Sequence, residues 1–124
     1  MLVRGELTEQ VIGLAINVHR QLGPGLLESI YEECLCCELA DAGVAFERQI
    51  ALPVVYRDRL LDAGFRADIL VSNELIIEIK SVECIHRVHE AQLPTYLRLT
   101  RRKGGLLMNF NVLRLKDGLR RFVM

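Results

Sequence analysis

The stretch that most constrains this chain is Leu75-Ile76-Ile77-Glu78-Ile79-Lys80. Its β-branched residues read as a buried strand, yet a carboxylate and an ammonium interrupt it. Desolvating a charge is costly unless the charge is paired or bound to a metal. Side chains alternate along a strand, so Leu75, Ile77 and Ile79 project one way and Ile76, Glu78 and Lys80 the other. The two charges share a face.

The rest of the chain sets the frame for that strand. With 124 residues, 51% hydrophobic and 26% charged, it has the composition of one globular domain spanning 1–124. No apolar run reaches the ~18 residues of a membrane span. The N-terminal MLVRGELTEQ lacks the basic region and apolar core of a signal peptide, so a cytoplasmic protein is expected. Net charge is zero, but residues 1–79 hold 6 Lys+Arg and 13 Asp+Glu, whereas residues 80–124 hold 10 and 3. The halves therefore carry −7 and +7, which allows a local basic surface or, equally, two halves of one fold that attract each other. Cys34, Cys36 and Cys37 crowd into one helical turn and Cys84 stands apart, which is not a disulfide framework. Zinc held by Cys34, Cys37 and Cys84 is conceivable; small buried thiols are the simpler reading.

Apolar residues at 11, 12, 15, 16, 18 and 22 predict a helix over 8–22 with Thr8 as its cap, stopped by Gly23-Pro24-Gly25. A second helix is expected over 26–42, ending at Gly43. Extended segments follow at 44–56, 60–71 and 75–82, and Pro53 suggests an edge position for the first. A helix over 89–99, a loop at 101–105, a short buried strand at 106–110 and an extended piece at 119–123 complete the chain. The order α-α-β-β-β-α-β-β predicts an α/β fold with a mixed sheet flanked by helices.

The turn Ser72-Asn73-Glu74 sets the register around the central strand. A three-residue loop pairs Val71 with Leu75, Leu70 with Ile76 and Ile69 with Ile77, and so brings Asp68 opposite Glu78. Arg66, Asp68 and Leu70 should share that face, and Phe65, Ala67, Ile69 and Val71 the other. Two opposed carboxylates destabilise each other. A divalent cation such as Mg²⁺ removes the conflict, and Lys80 beside it can activate a water or face developing phosphate charge. A salt-bridged face, with Lys80 or Arg66 pairing with the two acids, satisfies the same spacing.

Asp68 followed by Glu78-Ile79-Lys80 resembles the D…(D/E)-x-K core of the PD-(D/E)XK nuclease superfamily, with Ala67 in place of the usual proline. Gly25-Leu26-Leu27-Glu28-Ser29-Ile30-Tyr31 resembles the signature of the GxxExxY proteins, a branch of that superfamily. Gln92-Leu93-Pro94-Thr95-Tyr96 is similar to a Q-x-x-x-Y element on the helix after the active-site strand. The resemblance implies a restriction-endonuclease-like fold and hydrolysis of nucleic acid with Mg²⁺ or Mn²⁺. It implies Asp68, Glu78 and the Ile79 carbonyl as metal ligands and Lys80 as the catalytic lysine. Glu28 would be the helix carboxylate that reaches the metal, with Tyr31 on the same helix face. Gln92 and Tyr96 would steady the site or the phosphate, although Pro94 between them would kink a helix anywhere but its first turn. The family topology also implies that Arg98, Arg101, Arg102 and Lys103 form a phosphate-tracking rim beside Lys80.

The rival class is a non-catalytic binding or assembly module that keeps the fold. The 124 residues show no obvious DNA-reading domain, and the expectation is a homodimer, a partner protein, or binding directed by nucleic-acid structure rather than sequence. His86 and His89 could bind a metal or merely cap a helix, and His19 reads as a half-buried polar tip.

Overall fold

The computed structural model describes residues 4–124. Helices α1 (Arg4–Leu22) and α2 (Glu28–Asp41) lead into strands β1 (Phe46–Tyr56), β2 (Arg59–Val71) and β3 (Leu75–Lys80). Helix α3 (Arg87–Leu99), strand β4 (Gly104–Asn109), a 3₁₀ turn at Leu115–Gly118 and strand β5 (Leu119–Val123) follow. The five strands lie in chain order, and only the β3–β4 pair is parallel. This is the predicted element order. Among the described residues no helix is long and apolar enough to cross a membrane.

Helix α1 begins before Thr8. Leu7 extends the buried stripe Val11, Ala15 and Val18 by one turn, so Thr8 lies inside the helix and is buried rather than acting as its cap. Helix α2 ends at Asp41, and the chain turns away at Gly43, whose φ of +71° a β-carbon would penalise; the N–H groups of Gly43 and Val44 return to the carbonyls of Ala40 and Leu39.

The sheet is covered on both sides. Helices α1 and α2 bury Ile69, Val71, Leu75, Ile77, Ile79, Leu106 and Met108. On the opposite face Leu93 and Leu97 of α3 pack on Leu70, Ile76 and Leu107. Gly104 and Gly105, expected in a loop, open β4 instead. A β-carbon on Gly105 would stand 3.1 Å from Leu93 and Leu97, so the glycine lets α3 sit close on the strand.

β1 is an edge strand, as Pro53 suggested, and the register of the β1–β2 pair shifts between Leu52 and Val54, across that proline. The β2–β3 hairpin closes in the expected register, with Val71, Leu70 and Ile69 opposite Leu75, Ile76 and Ile77.

One expectation about faces is overturned. Ile69 and Val71 face α1 and α2, but Phe65 and Ala67 lie in the cluster under α3. β1 makes the same switch: Phe46 packs with the α1–α2 side, Ile50 and Leu52 with the α3 side. The exchange occurs at Gln49 and Asp68. Arg48 pairs with Ile69 and Ile50 with Ala67, while neither residue between enters the ladder, and Gln49 has φ +47°. Both strands turn over there together.

Candidate active site

That turnover places Asp68 where β2 leaves β3. The ladder stops at Ile69–Ile77, so the Ile79 N–H is free to donate to Asp68 Oδ2, at 2.8 Å. The Asp68 N–H lies 3.4 Å from Glu78 Oε1. The expected cross-strand pairing of Asp68 with Glu78 is therefore not made; the two acids are neighbours instead through the Asp68 N–H and the Glu78 carboxylate.

Their environment opposes ionisation. Burial first, then the Asp68 charge and a smaller push from Glu28, raise the Glu78 carboxyl to about 8. The Asp68 N–H and the Lys80 charge pull the other way. Asp68 is also raised, first by burial and then by Glu32, against the Ile79 N–H, Gln49 and Lys80. Lys80 thus acts on both acids from a distance. Among the described residues neither Lys80 nor Arg66 forms an ion pair with them. Arg66 donates instead to the Gln49 carbonyl at 2.6 Å. The salt-bridged face left open by the spacing is not the arrangement found.

Glu78 and Lys80 open into a pocket of about 200 Å³ whose other walls are Phe65, His89, Gln92, Leu93, Tyr96 and Leu107. Gln92 and Tyr96 are brought to the site on α3, although Pro94 sits in the middle of that helix. Tyr96 stacks on Phe65 with centroids 4.0 Å apart, tying α3 to the β1–β2 hairpin. His89 Nδ1 accepts a long bond from the His86 N–H (3.4 Å), so the histidine pair caps α3 while His89 also walls the pocket.

Helix α2 reaches the site through its first turn. Ser81 Oγ, one residue past Lys80, donates to the Leu26 carbonyl at 2.7 Å and so fastens the start of α2 to the end of β3. Glu28 is exposed at that start. Tyr31 is not on its face: it is fully buried, stacked on Phe110 at 4.5 Å. Its hydroxyl donates to the Gly23 carbonyl (2.6 Å) and accepts from the Leu26 N–H (3.1 Å). Tyr31 is the anchor of the loop before α2, its ring packed on Phe110, whose N–H donates to the Lys80 carbonyl.

Two further placements differ from expectation. Gly104 pairs with Leu75, and Arg102 Nη2 donates to Asn73 Oδ1 at 2.9 Å, so residues 101–103 lie at the start of β3. Lys80 is at the other end, five residues away or about 16 Å along a strand. The basic segment is not a rim beside Lys80. Arg114, Arg120 and Arg121 pair with Asp117, Glu90 and Glu9, so part of the basic half does balance acids. His19 is buried rather than half-buried, with Nε2 2.8 Å from the Val112 carbonyl. Burial raises the Cys36 thiol to about 11, which keeps it protonated and inert.

Sequence reasoning missed Glu32, Arg48 and Gln49. Glu32 is buried on α2 and accepts from both of the others. Its one legible signal was its place four residues after Glu28, on the same helix face.

Among the described residues no three His, Cys, Asp or Glu side chains already enclose a cation position. The donor chemistry nevertheless suits one. Two hard oxygen donors stand together, and burial beside the Asp68 charge holds the Glu78 carboxyl up near 8.

A sequence model of the PD-(D/E)XK nuclease superfamily matches residues 5–122. The chain belongs to that superfamily. No curated protein and no solved structure gives a significant match. The mixed sheet between α1–α2 and α3 is accordingly a restriction-endonuclease-like PD-(D/E)XK fold, and its Asp68, Glu78 and Lys80 occupy the end of the hairpin where β2 and β3 part.

Proposed function

We propose that this PD-(D/E)XK protein is a metal-dependent nuclease that hydrolyses phosphodiesters, acting as one domain over 1–124 and belonging to the GxxExxY branch. The observation that carries the reading is the pairing of two raised carboxylates, Asp68 and Glu78, beside a Lys80 that salt-bridges to neither. Asp68, Glu78, the Ile79 carbonyl and Glu28 are the groups that would hold Mg²⁺ or Mn²⁺, which when bound polarises a phosphate and acidifies water. The protein's own contribution is positional. The Ile79 N–H fixes one oxygen of Asp68, Ser81 holds the α2 start within reach, and the Lys80 ammonium faces charge developing on the phosphoryl oxygens. Gln92 and Tyr96 wall the same pocket and would steady the substrate there. A cytoplasmic location and a homodimer go with this reading, as does a DNA or RNA substrate recognised by its structure.

A panel of DNA and RNA substrates with Mg²⁺ and Mn²⁺ tests it. Metal-dependent cleavage that disappears in Lys80→Ala is the expected result. Binding without cleavage under every ion would favour the non-catalytic module.

A further inference from the structure

Among the described residues six non-glycine positions have positive φ: Gln49, Arg57, Asp58, Ser72, Asn73 and Arg101. Five of them lie at chain reversals, between β1 and β2, between β2 and β3, or just after α3. Gln49, at +47°, lies inside β1. A left-handed, non-glycine residue within a strand is strained and persists only where its surroundings hold it. Arg66 holds this one through the Gln49 carbonyl.

The strain sets the side chain between two acids. Gln49 Nε2 donates to Glu32 Oε1 at 2.7 Å and to Asp68 Oδ1 at 3.2 Å. Both partners only accept, so the amide can face them in one orientation alone, NH₂ inward. Glu32 cannot swing away, because Arg48 Nε and Nη2 donate to its other oxygen at 3.2 and 2.9 Å. Asp68 in turn gives its other oxygen to the Ile79 N–H. A continuous chain of donors and acceptors therefore runs Arg48, Glu32, Gln49, Asp68, Ile79.

We infer that Gln49 is a positioning residue for Asp68: its amide fixes the plane of the carboxylate and separates it from Glu32. With the Ile79 N–H alone, one oxygen is held and the group can rotate about its Cβ–Cγ bond. With both bonds made, each Asp68 oxygen keeps a lone pair, and the direction of those pairs is set. This inference rests on the proposed role of Asp68 as a metal ligand. Hydrogen bonds to a ligand from outside the coordination sphere typically change metal affinity about 10–100-fold.

The variant Gln49→Gly separates positioning from mere structure, because it relieves the positive φ while deleting the amide. The metal-free melting temperature should hold or rise, and Mn²⁺ affinity by calorimetry should fall about 10–100-fold. Asp68→Asn is run beside it to show that the bound Mn²⁺ uses Asp68. Asp68-dependent Mn²⁺ binding that is unchanged in Gln49→Gly overturns the role of Gln49 alone. Mn²⁺ binding that survives Asp68→Asn overturns the proposed site, and this role with it. A lowered melting temperature with full Mn²⁺ affinity would make Gln49 structural only.

Discussion

Replacing Glu78 with Gln should make the metal-free protein more stable, and only at high pH. Glu78 titrates near 8 in the folded chain against an ordinary value of 4.5. Between those values the folded state holds a proton that the unfolded state has released, so stability falls as pH rises through the window and the whole penalty is present above pH 8. The shift of about 3.5 pH units caps the penalty at about 5 kcal/mol. The side chain is half-buried and borders an open pocket, so solvent screening brings this to about 2–3 kcal/mol. A glutamine keeps the oxygen that accepts the Asp68 N–H and removes the charge. It also frees Asp68 from a like-charged neighbour, since the two acids titrate as a pair. Thermal melts in chelator from pH 4.5 to 9 are the assay. At pH 9 the variant should melt roughly 6–15 °C above the parent, narrowing to almost nothing near pH 4.5. A difference that stays constant across the range would refute the reasoning, as would a parent more stable at pH 9.

The same melts carry a metal test. Mg²⁺ or Mn²⁺ at 100 times its dissociation constant should stabilise the parent by about 2.7 kcal/mol, and Asp68→Asn with Glu78→Gln should abolish the rise. Lys80→Ala should lower kcat by roughly 10²–10³-fold without changing the circular dichroism spectrum, because it removes one charge aimed at the reaction and no core contact. Tyr31→Phe should cost about 1–3 kcal/mol by denaturant titration, because the Gly23 carbonyl and Leu26 N–H both lose their partner.

Much of the site was legible because hairpin register follows from local chemistry. Ser72 and Asn73 adopt positive φ in a loop that closes on Val71 and Leu75, and this fixes the pairs as far as Ile69 and Ile77, beyond which the ladder stops. Glu78 and Lys80 then fall on one face by alternation alone. The role of Tyr31 was not legible. Helical spacing groups it with Glu28, but at the first turn of α2 three residues separate a solvent-facing start from the core beneath, and only the contacts with Phe110 and Gly23 show which way the ring turns. The rim of basic residues failed for a similar reason. Sequence distance after α3 says nothing about which end of β3 the chain returns to, and a parallel β4 must begin beside Leu75.

The turnover at Gln49 and Asp68 was hidden for a more general reason. Along β1, Phe46, Ile50 and Leu52 keep an unbroken even spacing, as Phe65, Ala67, Ile69 and Val71 keep an odd one. Alternation reports which side of a strand is buried only when the other side meets water. Here helices cover both faces, so an apolar residue is welcome on either, and the strands exchange faces with no trace in the pattern. The exchange has a chemical consequence. A residue at the crossing point belongs to neither face, and Asp68 therefore projects into the gap beside β3, where its carboxylate accepts an N–H from that strand and an amide from β1 while its own N–H faces the Glu78 carboxylate. A regular ladder would have aimed it at α3 alone, away from Glu32 and Gln49. The positive φ of Gln49 is thus coupled to the placement of the acid, and relieving one without disturbing the other tests whether the fold or the site required it.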